Sequence, residues 1–334
     1  MAEFLDDSID FESYMTETDA QARVRPASDY VSSLKEQLRG RKKQRFVYLP
    51  WEKTQANFDF RYGEVTVWAG QNGHGKSHIA RQIALSLVGQ GERVCVANFE
   101  AKPAKTLQVM ARMFVGKNPF APEFQMDSGI AAIEALYDDF GTWTDGSLWL
   151  YDQYGTTHAA RVLGMTKYCG AELGIRHVFI DNLAKCVRDE DDYNGQKAFV
   201  DQCTAIARDL DIHIHILHHL KKPAKETDKP DKGDVKGSGA IVDQPDNLFL
   251  VWRNKAKEDE RKAGGQAKAD EPDQVLYCKK NRNHDGPGDG EPTIALWLDR
   301  DSGQFLGSAH ASLMHFKAYP HRQPAPIVRE WEAA

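Results

Sequence analysis

The segment GQNGHGKS at residues 70–77 restricts the fold of this chain more than any other part of its sequence. It closely follows the apolar run VTVW, and after it Ala80, Ile83, Ala84 and Leu87 recur at the spacing of one helical face. A glycine-rich turn between a buried strand and an amphipathic helix is typical of a phosphate-binding P-loop. The predicted nucleotide-binding residues are Gly70, Gln71, Asn72, Gly73, His74, Gly75, Lys76 and Ser77.

The residue types in this turn suit a nucleoside triphosphate with Mg²⁺. Glycines let successive backbone N–H groups curl around phosphate oxygens, and the start of the helix directs its positive dipole end at them. We expect Lys76 to reach the β- and γ-phosphates and the Ser77 hydroxyl to bind Mg²⁺. A surface turn that matches the pattern by chance is the alternative, and the flanking strand and helix argue against it.

The rest of the chain predicts an α/β fold. Apolar strands alternate with amphipathic helices up to residue 236, which indicates a mostly parallel sheet with helices on both faces. The predicted parallel strands contain VTVWAG, RVCVANFE, SLWLYD, HVFIDN and IHIHILHH. Beyond residue 236 we expect antiparallel strands and no further helix, with residues 255–273 as a flexible, charged excursion. The predicted antiparallel strands are NLFLVWR, QVLYCKK, TIALWLD and QFLG.

The chain divides into four predicted regions. Residues 1–26 are acidic and aperiodic, and we expect them to be disordered. Residues 27–48 contain an apolar stripe of Val31, Leu34 and Leu38, which predicts a helix that is either a solvated connector or docked on a neighbouring subunit. Residues 49–307 form the main domain, and residues 308–334 are a tail without a clear period.

Composition excludes several classes of protein. The net charge is −6, so any contact with nucleic acid must be local. No apolar stretch approaches the roughly 20 residues that span a bilayer, and the acidic N-terminus is unlike a signal peptide. Five scattered cysteines without a CxxC pair indicate a reducing cytosol, with no disulfide framework and no structural zinc.

Two acids are expected beside the P-loop because ligands bind at the carboxyl ends of parallel strands. Asp181 follows the strand HVFI and could hold Mg²⁺, directly or through water. Glu100 ends VCVANFE and could deprotonate an attacking water. The alternative for each acid is a strand end that faces solvent.

A basic loop at residues 220–236 follows the last parallel strand before the antiparallel region. Lysines at this density can follow a phosphate backbone, although four interleaved acids leave a solvated loop as the alternative. The predicted DNA-binding residues are Lys221, Lys222, Lys225, Lys229, Lys232 and Lys236. The neighbouring His213 and His215 alternate with isoleucines, which favours packing in the sheet over metal binding.

Together, these motifs resemble those of the hexameric replicative DNA helicases with a RecA-type motor. That family includes the DnaB type, the helicase half of the phage T7 primase–helicase, and Twinkle; the likeness runs from about residue 60 to residue 306. The resemblance implies a RecA-like P-loop NTPase core in which Glu100 is catalytic, Asp181 is linked to Mg²⁺ and His219 senses the γ-phosphate. It also implies that Lys280 and Arg282 in KKNRN reach the nucleotide of a neighbouring subunit. The family-specific segment after the basic loop contributes Gly237, Ser238, Gly239, Asp246 and Arg253.

The resemblance further implies an ATP- or dTTP-driven homo-oligomeric ring, hexameric in the family, that moves 5′ to 3′ on single-stranded DNA at a replication fork. The expected setting is phage or plasmid replication in a bacterial cytoplasm, with primase or polymerase as further partners and without a fused primase.

One departure is Asp243, which stands where phage relatives usually carry glutamine. The alternatives are a recombinase-like filament or a loader. A phosphotransferase or a non-catalytic DNA clamp is less consistent, because the sequence shows no acceptor pocket or lid, and a clamp would not need Glu100.

Overall fold

The computed structural model describes residues 3–5, 28, 31, 35, 47–124, 126–189, 191–223, 225, 227–265, 268–283 and 291–318. Most of the acidic N-terminus, nearly all of the predicted helix within 27–48, and the tail after residue 318 lie outside these residues. In the part of the chain that is described, no helix has the length and apolar character needed to cross a membrane.

Within the described residues, ten strands form one sheet in the order β1-β6-β5-β7-β8-β4-β9-β10-β11-β12. All pairings from β1 to β9 in this order are parallel, and the remaining pairings are antiparallel. The predicted sheet, mostly parallel with antiparallel strands toward the C-terminus, is therefore confirmed. One expectation within it is wrong: NLFLVWR, expected to be antiparallel, pairs in parallel with β4 as β9 and is antiparallel only to β10. The chain returns to the amino end of β4 at Asp246 before this strand begins, so the two strands run in the same direction. The strands of this sheet are β1 (Glu3–Leu5), β4 (Val65–Gly70), β5 (Val94–Asn98), β6 (Leu148–Tyr151), β7 (His177–Asp181), β8 (His213–His219), β9 (Asn247–Arg253), β10 (Gln274–Asn281), β11 (Thr293–Leu298) and β12 (Phe305–Leu306). A separate hairpin pairs β2 (Val47–Tyr48) with β3 (Asp59–Phe60).

Helices cover both faces of the sheet. They are α1 (Lys76–Gly89), α2 (Pro103–Val115), α3 (Asp127–Thr144), α4 (Ala159–Ala171), α5 (Tyr193–Leu210), α6 (Ala240–Asp243) and α7 (Lys255–Lys262). Short 3₁₀ turns lie at Glu52–Thr54, Pro122–Phe124, Leu183–Lys185, Lys232–Asp234 and Phe316–Ala318. One apolar core lies between the sheet and α4 and α5, and the other between the sheet and α1, α2 and α3. Two buried faces explain the nearly continuous apolar runs of the parallel strands.

Strand β8 shows how alternation assigns side chains to these two cores. Ile214 and Ile216 belong to the core under α4 and α5, whereas the rings of His213 and His215 lie against Phe60 on the other face. Both histidines are fully buried. Among the described residues, no group of three or more His, Cys, Asp or Glu side chains could hold a metal ion.

The prediction that helices stop at residue 236 is wrong, because α6 and α7 follow it. Helix α7 occupies the first part of the expected flexible excursion. The Asn254 side chain accepts a hydrogen bond from the Lys257 amide at 3.1 Å and caps this helix. An i,i+4 ion pair of 2.9 Å joins Lys262 to Glu258. Local capping and charge pairing therefore form a helix in a segment that carries almost no apolar residues.

Two further elements differ from the expectations. Residues Glu3–Leu5, expected to be disordered, form β1 and pair in parallel with β6 at the edge of the sheet. This pairing satisfies backbone groups that an edge strand would otherwise leave open. Helix α3 was not predicted, although Ile133 and Phe140 recur at a helical spacing and are buried.

Candidate active site

The P-loop connects the end of β4 to the start of α1. Strand β4 ends at Gly70 and α1 begins at Lys76. Gly75, immediately before the helix, has a φ of 80°, in the left-handed region that favours glycine. A Cβ at this position would also lie 3.0 Å from Oε1 of Gln274. The close turn leaves the N–H groups of the first helical turn available to an anion.

A cavity of about 750 Å³ opens at this turn. The P-loop residues that line it are Asn72, Gly73, Gly75, Lys76 and Ser77. Gly70, Gln71 and His74 belong to the turn and support it from outside the cavity lining. The main-chain carbonyl of His74 accepts a hydrogen bond from Gln274 Nε2 at 2.7 Å, and the Gln71 side chain donates to the carbonyl of Lys221.

Lys76 is buried at the bottom of the P-loop. Its ammonium donates to two main-chain carbonyls of the turn, at 2.8 and 3.0 Å, and lies 3.4 Å from Nδ1 of His219. Burial lowers the pKa of Lys76 to about 8, against the opposing effect of Asp181 and Glu100. A phosphate group would add negative charge beside the ammonium and favour its charged form.

Asp181 lies at the end of β7, where the sequence predicts it. Asn98 Nδ2 donates to its Oδ2 at 3.2 Å, while Oδ1 is buried without a hydrogen-bond partner among the described residues. Burial raises the pKa of Asp181, and the Ser77 hydroxyl lowers it. A buried carboxylate oxygen beside a hydroxyl matches the hard oxygen ligands of Mg²⁺. Asp181 and Ser77 therefore fit the predicted metal site.

Glu100 and His219 come together across the cavity, 3.8 Å apart between Oε1 and Nε2. This distance is too long for a hydrogen bond. The amide of Asn182 lies between them, donating to Glu100 Oε1 at 2.6 Å and lying 2.8 Å from His219 Nε2. The contact with His219 lowers the pKa of Glu100 against the effect of burial, and Asn182 and Lys76 lower it further. A carboxylate that stays ionised beside the P-loop can act as a general base.

Several residues of the site were not predicted from the sequence. Asn182 follows Asp181 directly, but an amide at a strand end does not reveal which side chains it contacts. Arg81 lies one turn after Ser77 on α1 and lines the cavity, and its Nε is buried without a hydrogen-bond partner within the described part of the chain. Helical spacing from Ser77 could have identified Arg81. Gln274 is about 200 residues away in sequence, so no local pattern could have placed it.

Arg253, at the end of β9, contacts the P-loop from the adjacent strand. Its Nη1 donates to the carbonyl of Gly73 at 2.9 Å, and its backbone N–H lies 3.3 Å from Nδ1 of His74. Glu258 on α7 forms an ion pair with the guanidinium at 3.0 Å. Arg253 therefore supports the P-loop.

The segment Gly237, Ser238 and Gly239 packs on α5. The side-chain oxygen of Gln196 accepts a hydrogen bond from the Ser238 backbone at 2.8 Å. Gly237 has a φ of 92°, and a Cβ there would lie only 2.2 Å from the same oxygen. These residues connect the basic loop to the core and do not line the cavity.

Lys280 and Arg282 lie at the opposite end of the sheet from the P-loop of their own chain. Arg282 N donates to Asp246 O at 2.9 Å, and the backbone of Asp246 bonds to Val65, the first residue of β4. The P-loop begins at the other end of β4, about 17 Å along the strand. The structure therefore does not bring Lys280 and Arg282 to the P-loop within one chain.

The ends of Lys280 and Arg282 meet at α6. Lys280 Nζ donates to the carbonyl of Asp243 at 2.6 Å, and Arg282 Nη2 donates to the same oxygen at 2.9 Å. The buried carboxylate of Asp246 lies 3.6 Å from Arg282 and accepts the Val65 backbone N–H at 3.0 Å. The position that departs from the family pattern, Asp243, thus holds both cations through its main chain.

The basic loop leaves β8 directly after His219. Its two ends are held together by a bridge between Leu220 and Val235, and Lys236 N donates to the carbonyl of His219 at 3.1 Å. Lys236 is half-buried. The exposed lysines of the loop are Lys221, Lys222, Lys225, Lys229 and Lys232. Lys232 forms an ion pair with Glu291 at 3.5 Å, and Lys221 donates to a loop carbonyl at 3.0 Å.

Comparisons with known proteins agree with this architecture. A family model described as the DnaB-like helicase C-terminal domain matches residues 55–289, which is more than half of the chain. The solved structure of the ATPase domain of G40P is 15% identical, with a TM-score of 0.69, over 85% of this chain and 99% of that one. A DnaB-like replicative helicase, described together with its interactions with primase, is 14% identical with a TM-score of 0.65. That likeness covers 85% of this chain and 67% of the other.

Proposed function

This chain belongs to the family of the DnaB-like helicase C-terminal domain, and on that premise we propose that it is an NTP-driven replicative DNA helicase. It forms a ring, hexameric in this proposal, and moves 5′ to 3′ on single-stranded DNA at a replication fork. Its substrate is ATP or dTTP with Mg²⁺. Its setting is phage or plasmid replication in a bacterial cytoplasm.

The observation that carries this proposal is the direct connection between the triphosphate site and the basic loop. His219 lies 3.4 Å from the P-loop Lys76, and the loop starts at the next residue. A second contact runs from the Gln71 side chain to the carbonyl of Lys221. Loss of a γ-phosphate from this site would change the surroundings of His219 and could therefore move the loop.

The residues of the cavity have complementary roles in hydrolysis. If Asn182 donates to Nε2 of His219, the ring proton lies on Nδ1, and Nδ1 then faces the Lys76 ammonium as a second donor. An oxygen of the γ-phosphate could accept from both. The Glu100 carboxylate orients the attacking water and takes its proton. When bound by Ser77 and Asp181, Mg²⁺ would neutralise charge on the phosphates.

The position of Lys280 and Arg282 supports assembly into a ring. Neither side chain is near the P-loop of its own chain, and both are held at the end of the sheet by the carbonyl of Asp243. In the proposed ring they reach the nucleotide of the adjacent subunit and stabilise its transition state. Residues 27–48 then dock as a helix on a neighbouring copy, and residues 49–307 are the motor domain.

The proposed DNA contact is the phosphate backbone of a single strand. The exposed lysines of residues 221–232 supply positive charge for contacts with phosphates. A primase or a polymerase is the proposed additional partner at the fork, consistent with the DnaB-like helicase that is described together with its interactions with primase.

Strand displacement on forked DNA tests this function. Labelled forks with only a 5′ or only a 3′ single-stranded arm, with ATP or dTTP and Mg²⁺, distinguish the direction of movement and the preferred nucleotide. We expect unwinding on the fork with the 5′ arm, and none by the Lys76→Ala variant. Hydrolysis without strand displacement would instead favour a recombinase-like filament or a loader.

A further inference from the structure

We propose that Asn182 is a positioning residue that links the orientation of the catalytic Glu100 to His219. This inference rests on the proposed function, since it assigns a role within the same hydrolytic site. Asn182 lies immediately after Asp181, is almost fully buried with 1% of its surface exposed, and lines the nucleotide cavity. It is positioned by the strand end and does not need a phosphate to hold it.

The contacts of Asn182 fix the orientation of its amide. The Glu100 carboxylate can only accept hydrogen bonds, so the NH₂ group and not the carbonyl oxygen lies at 2.6 Å from Oε1. The same nitrogen lies 2.8 Å from His219 Nε2. One NH₂ group has two hydrogens, and each has an acceptor when the His219 ring carries its proton on Nδ1. The side-chain oxygen is buried without a hydrogen-bond partner among the described residues, so it does not compete with this arrangement.

Asn182 supplies the hydrogen-bonded connection that the direct contact lacks. Glu100 and His219 are 3.8 Å apart, beyond hydrogen-bond distance, and 42% of the Glu100 side chain is exposed. A half-exposed carboxylate has several accessible rotamers, and the Asn182 amide selects one of them. Any change that turns His219 removes one acceptor from the NH₂ group and alters the support of Glu100.

This arrangement connects hydrolysis to the basic loop. The backbone carbonyl of His219 accepts from Lys236, where the loop returns to the core, while its ring contacts Asn182. Movement of the loop on DNA would therefore change the His219 ring, then Asn182, and finally the position of the general base. Asn182 acts through Glu100 and does not itself touch the reacting atoms in this proposal.

A double-mutant cycle on hydrolysis tests the link. We would measure kcat and KM of the full chain with and without single-stranded DNA for the wild type, Asn182→Ala, His219→Ala and the double variant. We expect Asn182→Ala to lower the DNA-stimulated kcat by about 10- to 100-fold, the value of one hydrogen bond to a charged group, with KM changed less than about twofold. The double variant should be no slower than His219→Ala within about twofold.

The control is Gln90→Ala, which removes another amide that bridges two groups. Gln90 follows the far end of α1 and exchanges two hydrogen bonds of 2.9 Å with the backbone of Tyr48. The Gln90→Ala variant should have the kcat and KM of the wild type. Thermal melting checks folding, and if Asn182→Ala is unfolded, the near-isosteric Asn182→Leu replaces it in the cycle.

Independent effects, in which the two single losses multiply in the double variant, would overturn the link. A raised KM with an unchanged kcat would also overturn it, because Asn182 would then serve nucleotide binding. A wild-type protein that hydrolyses neither ATP nor dTTP would contradict the proposed function itself. If the wild type is active but the losses of kcat in the two single variants are independent, the positioning role of Asn182 is rejected and the proposed function stands.

Discussion

At the scale of single residues, Gly237 occupies a position where a side chain would displace the Gln196 amide. Its φ is 92°, and a Cβ there would lie 2.2 Å from the Gln196 oxygen that accepts the Ser238 N–H. We expect Gly237→Ala to lower the free energy of unfolding by about 2–4 kcal/mol, because left-handed strain and a disturbed, partly buried hydrogen bond add together. Urea denaturation monitored by circular dichroism measures the change.

Gly239→Ala is the matched control for this substitution. Gly239 has a φ of −54°, and the nearest atom to its Cβ would be Asp243 Oδ2 at an ordinary 3.7 Å. We expect the free energy of unfolding of Gly239→Ala to stay within about 0.5 kcal/mol of that of the wild type. Equal effects of the two substitutions would show that the conformation at Gly237 is not the cause.

The residues that sequence alone could predict share a physical reason. Lys76 belongs to a contiguous pattern, and Glu100 and Asp181 each follow an apolar strand, so local sequence fixes both type and position. Their meeting at one edge follows from parallel strands. Asn182 and Gln274 act through contacts that only the folded chain defines, with partners from 37 to 200 residues away. Local patterns therefore predict Lys76, Glu100 and Asp181 and miss the amides that hold them.

At the scale of elements, β8 makes stability sensitive to acid. Burial lowers the pKa of His213 and of His218 to about 4, and lowers that of His215 well below its usual value. The unfolded chain binds these protons near pH 6.5, whereas the folded chain binds those of His213 and His218 only near pH 4 and holds the pKa of His215 well below its usual value. The unfolded state therefore holds more protons in this window, and we expect the free energy of unfolding to fall as the pH drops from about 6.5 to about 4.

Urea midpoints at several pH values, with a His215→Phe variant, measure this effect. His215 stacks on Phe179 with ring centroids 4.0 Å apart, so an aromatic replacement keeps the shape of the core and removes one titrating group. We expect a shallower loss of stability with acid in the variant, whatever its stability at pH 7. An unchanged pH dependence would contradict a role for His215 in the acid sensitivity.

The basic loop is the second element with a testable property. Lys222, Lys225 and Lys229 are exposed, and their replacement by alanine should weaken binding to single-stranded DNA. Each phosphate contact on a single strand contributes about 0.7 to the slope of log K against log salt, so the slope should fall by about 2. Fluorescence anisotropy at several salt concentrations measures it. The exposed Lys105 and Lys268, replaced together, should leave the slope unchanged, and an unchanged slope in the loop variant would exclude the loop as the DNA contact.

The elements also show which parts of the fold hydrophobic periodicity does not predict. The parallel strands from β4 to β8 are buried on both faces, so their apolar runs identified them. Helix α7 is held by the Asn254 cap and by ion pairs of Glu258, which a search for apolar residues does not detect. Strand β1 depends on an open edge of β6, which exists only after the rest of the sheet has formed.

At the scale of the whole molecule, the sheet separates two halves of the proposed catalytic machinery. The P-loop lies at the carboxyl end of β4, and Arg282 lies beside the amino end, held by Asp243 and Asp246. In the proposed ring, copies associate head to tail, and the amino end of one sheet faces the cavity of the next.

Mixing two inactive variants tests this arrangement. Lys76→Ala lacks the phosphate-binding cation but keeps Arg282, whereas Arg282→Ala has the opposite defect. Each alone should hydrolyse NTP at least about 100-fold more slowly than the wild type, since a trans arginine contributes about 10³ or more. Random assembly of an equal mixture restores about a quarter of the boundaries, and we expect hydrolysis to recover in proportion.

The control mixture of Lys76→Ala with the double variant has no competent boundary and should not recover. Hydrolysis by Arg282→Ala alone at the wild-type rate, or no recovery at any mixing ratio, would contradict catalysis shared between subunits, because the cavity of one chain would then be complete or the boundary would not form.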